Sequence, residues 1–298
     1  MYKLSLFAGV FLIGWEPMSE KSSPHEAFME EEIFDLLREG LQGHSDVHYC
    51  KRVEGLEEIK RRAMTDSLAD VGQATDILLA MASKYGAKDP ESSLIAEILV
   101  GLIGKKNELF GKVLHELEGQ LQLGGKPDFL FCFLRVAPHL DLGKKQQSVH
   151  PLVEFLMSRD ALNDLGVDEV CKGLIRMSYE QTIRNEILKL IAPYLSSLKV
   201  TQAFFAVNVG SEIGDSSLTL DMLKAFERTF THYYGGNENR MQQMICYFFR
   251  RVPDMKSLPF ILKVVESNAR SLEVLESLAS LADAYPESLE KIYQFLEE

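Results

Sequence analysis

The chain has 298 residues, 46% of them apolar, enough to bury a sizeable core as one elongated domain or two compact ones, so disorder is not the default. With 44 acidic against 32 basic residues the formal charge is −12, which sets the surface against phosphate backbones and anionic lipid and favours a basic protein surface as partner. The cysteines at 50, 132, 171 and 246 have no short paired spacing, so they suggest neither a zinc ribbon nor a disulfide framework and read as buried free thiols.

At the amino end, Lys3 precedes an apolar run from Leu4 to Trp15, about the length of a signal-peptide core and too short to span a bilayer comfortably. Trp15, Glu16 and Pro17 stand where a cleavage site needs small residues. One reading is an upstream extension of a cytoplasmic protein, with the start at Met1 or Met18 left open. The other is a signal or membrane anchor. Residues 1–28 are expected to be loosely attached and 29–298 to form a helical domain, with a division near 123–127 left open.

Glu30, Glu31 and Glu32 read as the acidic first turn of a helix that buries Ile33, Leu36 and Leu37. Further helices are predicted near Val53–Met64, Leu68–Tyr85, Ser92–Gly104 and Asn107–Leu121, with short connections. Gly124, Gly125 and Pro127 break the chain before the apolar run Phe129–Ala137, which Pro138 closes. The string Phe133–Pro138 is echoed by Phe248–Pro253, and both read as buried helices stopped by proline. Around Ile183–Leu198 two apolar stripes predict a helix covered on two sides. Thr201–Gly214 is open between strand, helix and loop. Pro138, Pro193, Pro253 and Pro286 show no single spacing, so an N-terminal helical bundle is an alternative to a uniform array.

The clearest unit is Leu258–Glu298. Leu258, Ile261, Leu262 and Val265 mark one apolar face of a first helix. A second helix begins near Arg270 with two stripes, Leu272, Leu275, Ala279 and Ala282 on one side and Val274, Leu278, Leu281 and Tyr285 on the other. It is expected to be covered from both. After Pro286, Leu289, Ile292, Tyr293 and Leu296 predict a terminal helix that shields Leu275, Leu278 and Leu281. The fold class is therefore all-α: stacked antiparallel hairpins forming an irregular α-solenoid.

With Pro259 early in its first helix and a basic residue, Arg270, near the start of its second, this pair resembles a HEAT-type repeat. Asn268 stands where that family places Asp, and Val149, Pro151, Leu152, Val153 and Leu156 followed by Asp160 resemble another first helix. The resemblance implies a binding scaffold with no shared catalytic residues. HEAT-like di-iron enzymes hold their metal with His-Glu pairs, and His25-Glu26 with His115-Glu116 are too few to complete such a centre.

Other constellations are equally incomplete. His44, His48 and Cys50 lack a fourth ligand nearby and fall in an expected loop. Gly104-Lys105-Lys106, Gly125-Lys126 and Gly143-Lys144-Lys145 read as helix endings and not as phosphate loops. Lys51, Arg52, Lys60, Arg61 and Arg62 are interleaved with Glu54, Glu57 and Glu58, which predicts pairing along one solvated helix. No catalytic residue, metal or cofactor is assigned. The function read here is a non-enzymatic scaffold binding another protein through a helical-repeat groove, the alternative being a metal-dependent enzyme with a site assembled from distant helices. The partner-binding residues expected are His232, Tyr233, Tyr234, Arg240, Arg250 and Arg251, since Tyr and Arg dominate binding hot spots. Glu290 and Glu297 join them from an acidic end, because residues 266–298 carry a net −6, half of the chain's excess.

Overall fold

The computed structural model describes residues 24–86, 90–122, 127–160, 165–268 and 271–297. All regular structure among them is helical: α1 Pro24–Gly40, α2 Asp46–Met64, α3 Val71–Tyr85, α4 Glu91–Lys105, α5 Glu108–Gln122, α6 Pro127–Val136, α7 Leu142–Ser158, α8 Leu165–Met177, α9 Gln181–Ile191, α10 Val200–Ile213, α11 Thr219–Thr229, α12 Glu238–Arg251, α13 Leu258–Asn268, α14 Leu272–Ala284 and α15 Ser288–Glu297. Short 3-10 turns lead out of α6 and α9 and into α11 and α13. Of the amino-terminal segment, residues 24–28 belong to α1. The apolar run Leu4–Trp15 lies outside the described residues, as do Gly124, Gly125, Lys126 and Arg270.

The helices form two layers. Each even-numbered helix from α2 to α14 packs on the even-numbered helices next to it in the chain, and α1 to α9 of the odd set touch in succession. The even-numbered helices begin every 34–45 residues, the period of a stacked two-helix unit. This solenoid-like order already includes α1 and α2, so no separate bundle is needed at the amino end.

Local chemistry fixes where four of the odd-numbered helices start. Asp70 and Asp141 accept hydrogen bonds from the backbone N–H groups of Gln73 and Lys144, at 2.8 and 3.0 Å, and so cap α3 and α7. Asp215 and Asp254 do the same two residues on, to Ser217 and Lys256, ahead of α11 and α13. Gly143-Lys144-Lys145 is therefore a helix beginning and not an ending. Pro151, read as an early proline, falls well inside α7.

Thr201–Gly214 resolves as α10, whose Phe204, Phe205, Val207 and Val209 are all buried. Gly214 ends it in the left-handed region at φ +61°, where a side chain would be strained. A helix buried almost all round shows no single apolar face, so its periodicity was hidden in the sequence.

Expected pairing along the basic helix is mostly replaced by pairing between helices. Arg52 and Glu91 are both buried. The Arg52 guanidinium donates to the Glu91 carboxylate and, at 2.9 Å each, to the carbonyls of Gly40 and Gly43, while lying 3.9 Å over the Tyr85 ring. One side chain thus ties α2, α3, α4 and the loop after α1. Lys60 reaches Glu97 at 2.8 Å across to α4. Glu30 is buried too, and because α1 begins at Pro24 it lies in the second turn and not in the first turn expected for Glu30, Glu31 and Glu32. Its carboxylate accepts the backbone N–H groups of Ala69 and Asp70 at 2.7 Å and faces Arg62 at 3.8 Å. Only Arg61 and Arg62 keep in-helix partners, both at Glu58, whose carboxyl is held down to about 2, chiefly by the Arg61 hydrogen bond.

His48 and Cys50 lie on α2 and not in a loop, because Ser45 precedes the helix start at Asp46. Cys132, Cys171 and Cys246 are buried, and burial pushes the thiols of the first two up to about 12. Cys50 is exposed, against the reading of four buried thiols.

Two outcomes follow from these contacts. Glu91→Ala leaves the Arg52 cation buried without its partner and should cost about 3–5 kcal/mol in urea unfolding, much of it recovered by Arg52→Met with Glu91→Leu. A cost near zero for the single change would remove the pair from any structural role. Alkylation of the native chain should modify Cys50 at once and the other three only at the rate of unfolding, read by intact-mass spectrometry.

Candidate functional site at the end of the even layer

The eight residues expected to bind a partner do not form one patch. α12 is about 20 Å long. The 232–234 segment and Arg240 stand near its start, whereas Arg250 and Arg251 lie in its last turn. Tyr233 is 78% exposed in the loop, but Tyr234 is 0% exposed, which corrects its assignment to a surface. Its hydroxyl donates to the Ser197 carbonyl at 3.1 Å, its backbone N–H donates to the Glu238 carboxylate, and burial pushes its phenol up. The half-buried His232 ring sits edge-on to Tyr234 at 4.8 Å.

The three arginines are exposed, and each reaches across to a neighbouring helix. Arg240 stacks 4.7 Å from the centre of the Phe204 ring of α10. Arg251 donates to the carbonyls of Ser211 and Glu212, the last turn of α10. Arg250 pairs with Glu276 of α14 at 2.5 Å. They are latches between successive even-numbered helices. Glu290 and Glu297 are exposed on α15.

What the sequence reading missed lies on α14. Val274, Ser277, Leu278 and Leu281 are buried, and the Ser277 hydroxyl donates to the Cys246 carbonyl of α12 at 2.5 Å. The second stripe was expected to be covered as well. Instead Leu272 is 64% and Leu275 43% exposed, and Ala279 is open too. α15 packs on α13 and α14 through buried Ile292, yet it leaves Leu289 and Tyr293 in solvent, Tyr293 at 62%. The end of the even layer is therefore an apolar strip, with α14 stacked on α12 along one flank and open along the other.

Carboxylates share α14, α15 and the connection between them. Glu273, Asp283, Glu287 and Glu290 are all exposed. The Glu273 carboxyl is held below its usual range by its own backbone N–H and then by the Ser271 hydroxyl, which puts a fixed negative charge on the first turn of α14. Elsewhere, open hollows of about 320 and 420 Å³ flank α7 and share His150, Glu154 and Ser158. Among the described residues no group of three or more His, Cys, Asp or Glu is placed to hold a metal, and no helix is long and apolar enough to cross a membrane. Comparison of the chain with protein-family models, with characterised proteins and with solved structures found no match.

If the strip is surface and not core, Leu272→Ser with Leu275→Ser should shift stability by no more than about 0.5 kcal/mol per site. Leu278→Ala and Leu281→Ala, one turn round the same helix, should each cost about 2–5 kcal/mol. Thermal unfolding followed by circular dichroism separates the two sets, and equal losses would mean that the strip is covered in the folded protein.

Proposed function

We propose that this chain is a non-catalytic scaffold of the HEAT-like helical-repeat kind, which binds another protein at the carboxyl-terminal end of its even-numbered layer. The observation that carries this is the exposed stripe Leu272 and Leu275 on α14, with Leu289 and Tyr293 exposed on the adjoining α15, whereas α4 to α12 of the same layer each have an even-numbered neighbour on both flanks. An apolar strip rimmed by charge is the ordinary form of a protein-binding surface. The HEAT assignment has two supports: the recurrence of the even-numbered helices and Pro259 at the second position of α13.

Charge defines the partner class. A chain at −12 with half of that excess in residues 266–298 attracts a basic protein surface and repels nucleic acid. Steering of that kind acts on association more than on dissociation.

The test compares proteins captured by the full chain with those captured by the Leu272→Ser, Leu275→Ser variant, quantified by mass spectrometry. Proteins bound by the natural sequence should be depleted from the variant by about tenfold, the loss expected from about 1.4 kcal/mol. For a purified partner, association should slow as salt rises through 0.1 M, where the screening length is about 10 Å. Identical captures by the two proteins would move the binding surface elsewhere, and a salt-independent rate would remove the steering.

A further inference from the structure

The even-numbered helices share one latch at two of their six steps, α2 to α4 and α10 to α12, whereas at the step from α12 to α14 the cation is Arg250 of α12, on Glu276 of α14. They run parallel. Arg52 early in α2 meets Glu91 at the start of α4, and Lys105, the last residue of α4, meets the Ala63 carbonyl and the Asp66 carboxylate at the end of α2. Arg251, the last residue of α12, likewise reaches the carbonyls of Ser211 and Glu212 at the end of α10. At both steps a cation in the last turn of the following helix meets the negative end of the preceding one, where unpaired carbonyls and the helix dipole favour it. Between the ends, apolar side chains close the contact.

We propose that the open flank of α14 receives one amphipathic helix from another protein, lying parallel to α14 in the position of a following even-numbered helix and carrying Lys or Arg in its last turn. This rests on the reading of the carboxyl-terminal end as the docking surface. Leu272, Leu275 and Ala279 supply a line at i, i+3 and i+7 for an apolar stripe to pack on. Beyond them Asp283 and Glu287 stand exposed at the end of α14, where the α2 to α4 and α10 to α12 steps place a cation. The strip and the charge therefore select the same ligand. A second copy of this chain fits poorly, because its own end would bring the same acidic rim against this one.

The probe is a fluorescent helical peptide of about five turns. It carries leucines at i, i+3, i+4 and i+7, lysines in the last turn and neutral residues elsewhere. A second peptide has the lysines in the first turn, and a third has glutamates in their place. Binding to the full chain is read by anisotropy. The first peptide should bind about tenfold more tightly than either of the others. Leu275→Asp should weaken it by at least about tenfold, although that change adds negative charge and would strengthen any non-specific attraction of the lysines. Equal affinity for the natural chain and Leu275→Asp, or indifference to the position of the lysines, overturns the proposal.

A photo-reactive residue placed at Leu275 in cells separates this from the broader reading. Crosslinks to another protein together with failure of the peptide series would keep the scaffold and remove the parallel helix. Crosslinks only to a second copy would overturn the proposal in favour of self-association. Failure of both peptide and crosslinker would remove the docking surface altogether.

Discussion

Stacking of helix on helix along two flanks organises the molecule: α4, α6, α8, α10 and α12 each pack on an even-numbered neighbour on either side. α10 shows this most fully: α8 and α12 press on its two sides, and Phe204, Phe205, Val207 and Val209 disappear between them. Fully burying a large apolar side chain contributes about 1.5–3 kcal/mol relative to leaving it in water, so apolar contact between such helices is the main force that holds the layer together. The odd-numbered helices need less. Lying to one side, they can keep a solvated face, and Asp caps fix the starts of α3 and α7 and of the turns that lead into α11 and α13.

Cations do the remaining work of alignment, and this shapes the surface. Arg52, Arg62, Lys105 and Arg251 bond to carboxylates or carbonyls of other helices or helix ends, and buried Lys145 reaches Glu180 across the α7 to α9 step. Hydrogen bonds from charged donors are worth more than neutral ones, and their geometry is strict, so they set the offset between helices that apolar contact alone leaves loose. Positive charge is drawn into the joints while much of the negative charge stays outside.

Helix type and the outer-inner-outer rhythm were legible because amphipathic spacing survives in Leu258–Val265 and Leu289–Ile292. The period was not, since the prolines mark different layers. Pro138, Pro253 and Pro286 follow the even-numbered helices α6, α12 and α14, while Pro193 follows odd-numbered α9. Taken together they scatter. Taken by layer, Pro138 and Pro253 are three two-helix units apart and Pro253 and Pro286 one. Arg52 and Glu91 could not be paired from sequence, since one helix and two loops separate them and each resembles an ordinary surface charge. Tyr234 was misplaced for a related reason: a tyrosine beside two glycines looks solvated until Ser197 supplies a buried acceptor. The α14 stripe was seen but given the wrong surroundings, because periodicity reports which side chains are apolar and not whether a neighbour stands against them.

That last distinction bears on why Leu272 and Leu275 stand in water at all. Exposed leucines cost little in the folded state, since the unfolded chain exposes them too, so stability alone neither demands nor forbids them. Their hazard is association, and an open flank on a layer built for stacking is suited to accept another helix of the same kind. The carboxylates beside them change which helix succeeds. Two copies meeting through this end would bring two acidic surfaces together, Asp283, Glu287 and Glu290 of each among them, and repulsion between like charges opposes that contact. A helix with cations at the same positions meets no such barrier and gains the latch already used at the ends of α2 and α10. One set of charges therefore discourages the homotypic contact and admits the heterotypic one.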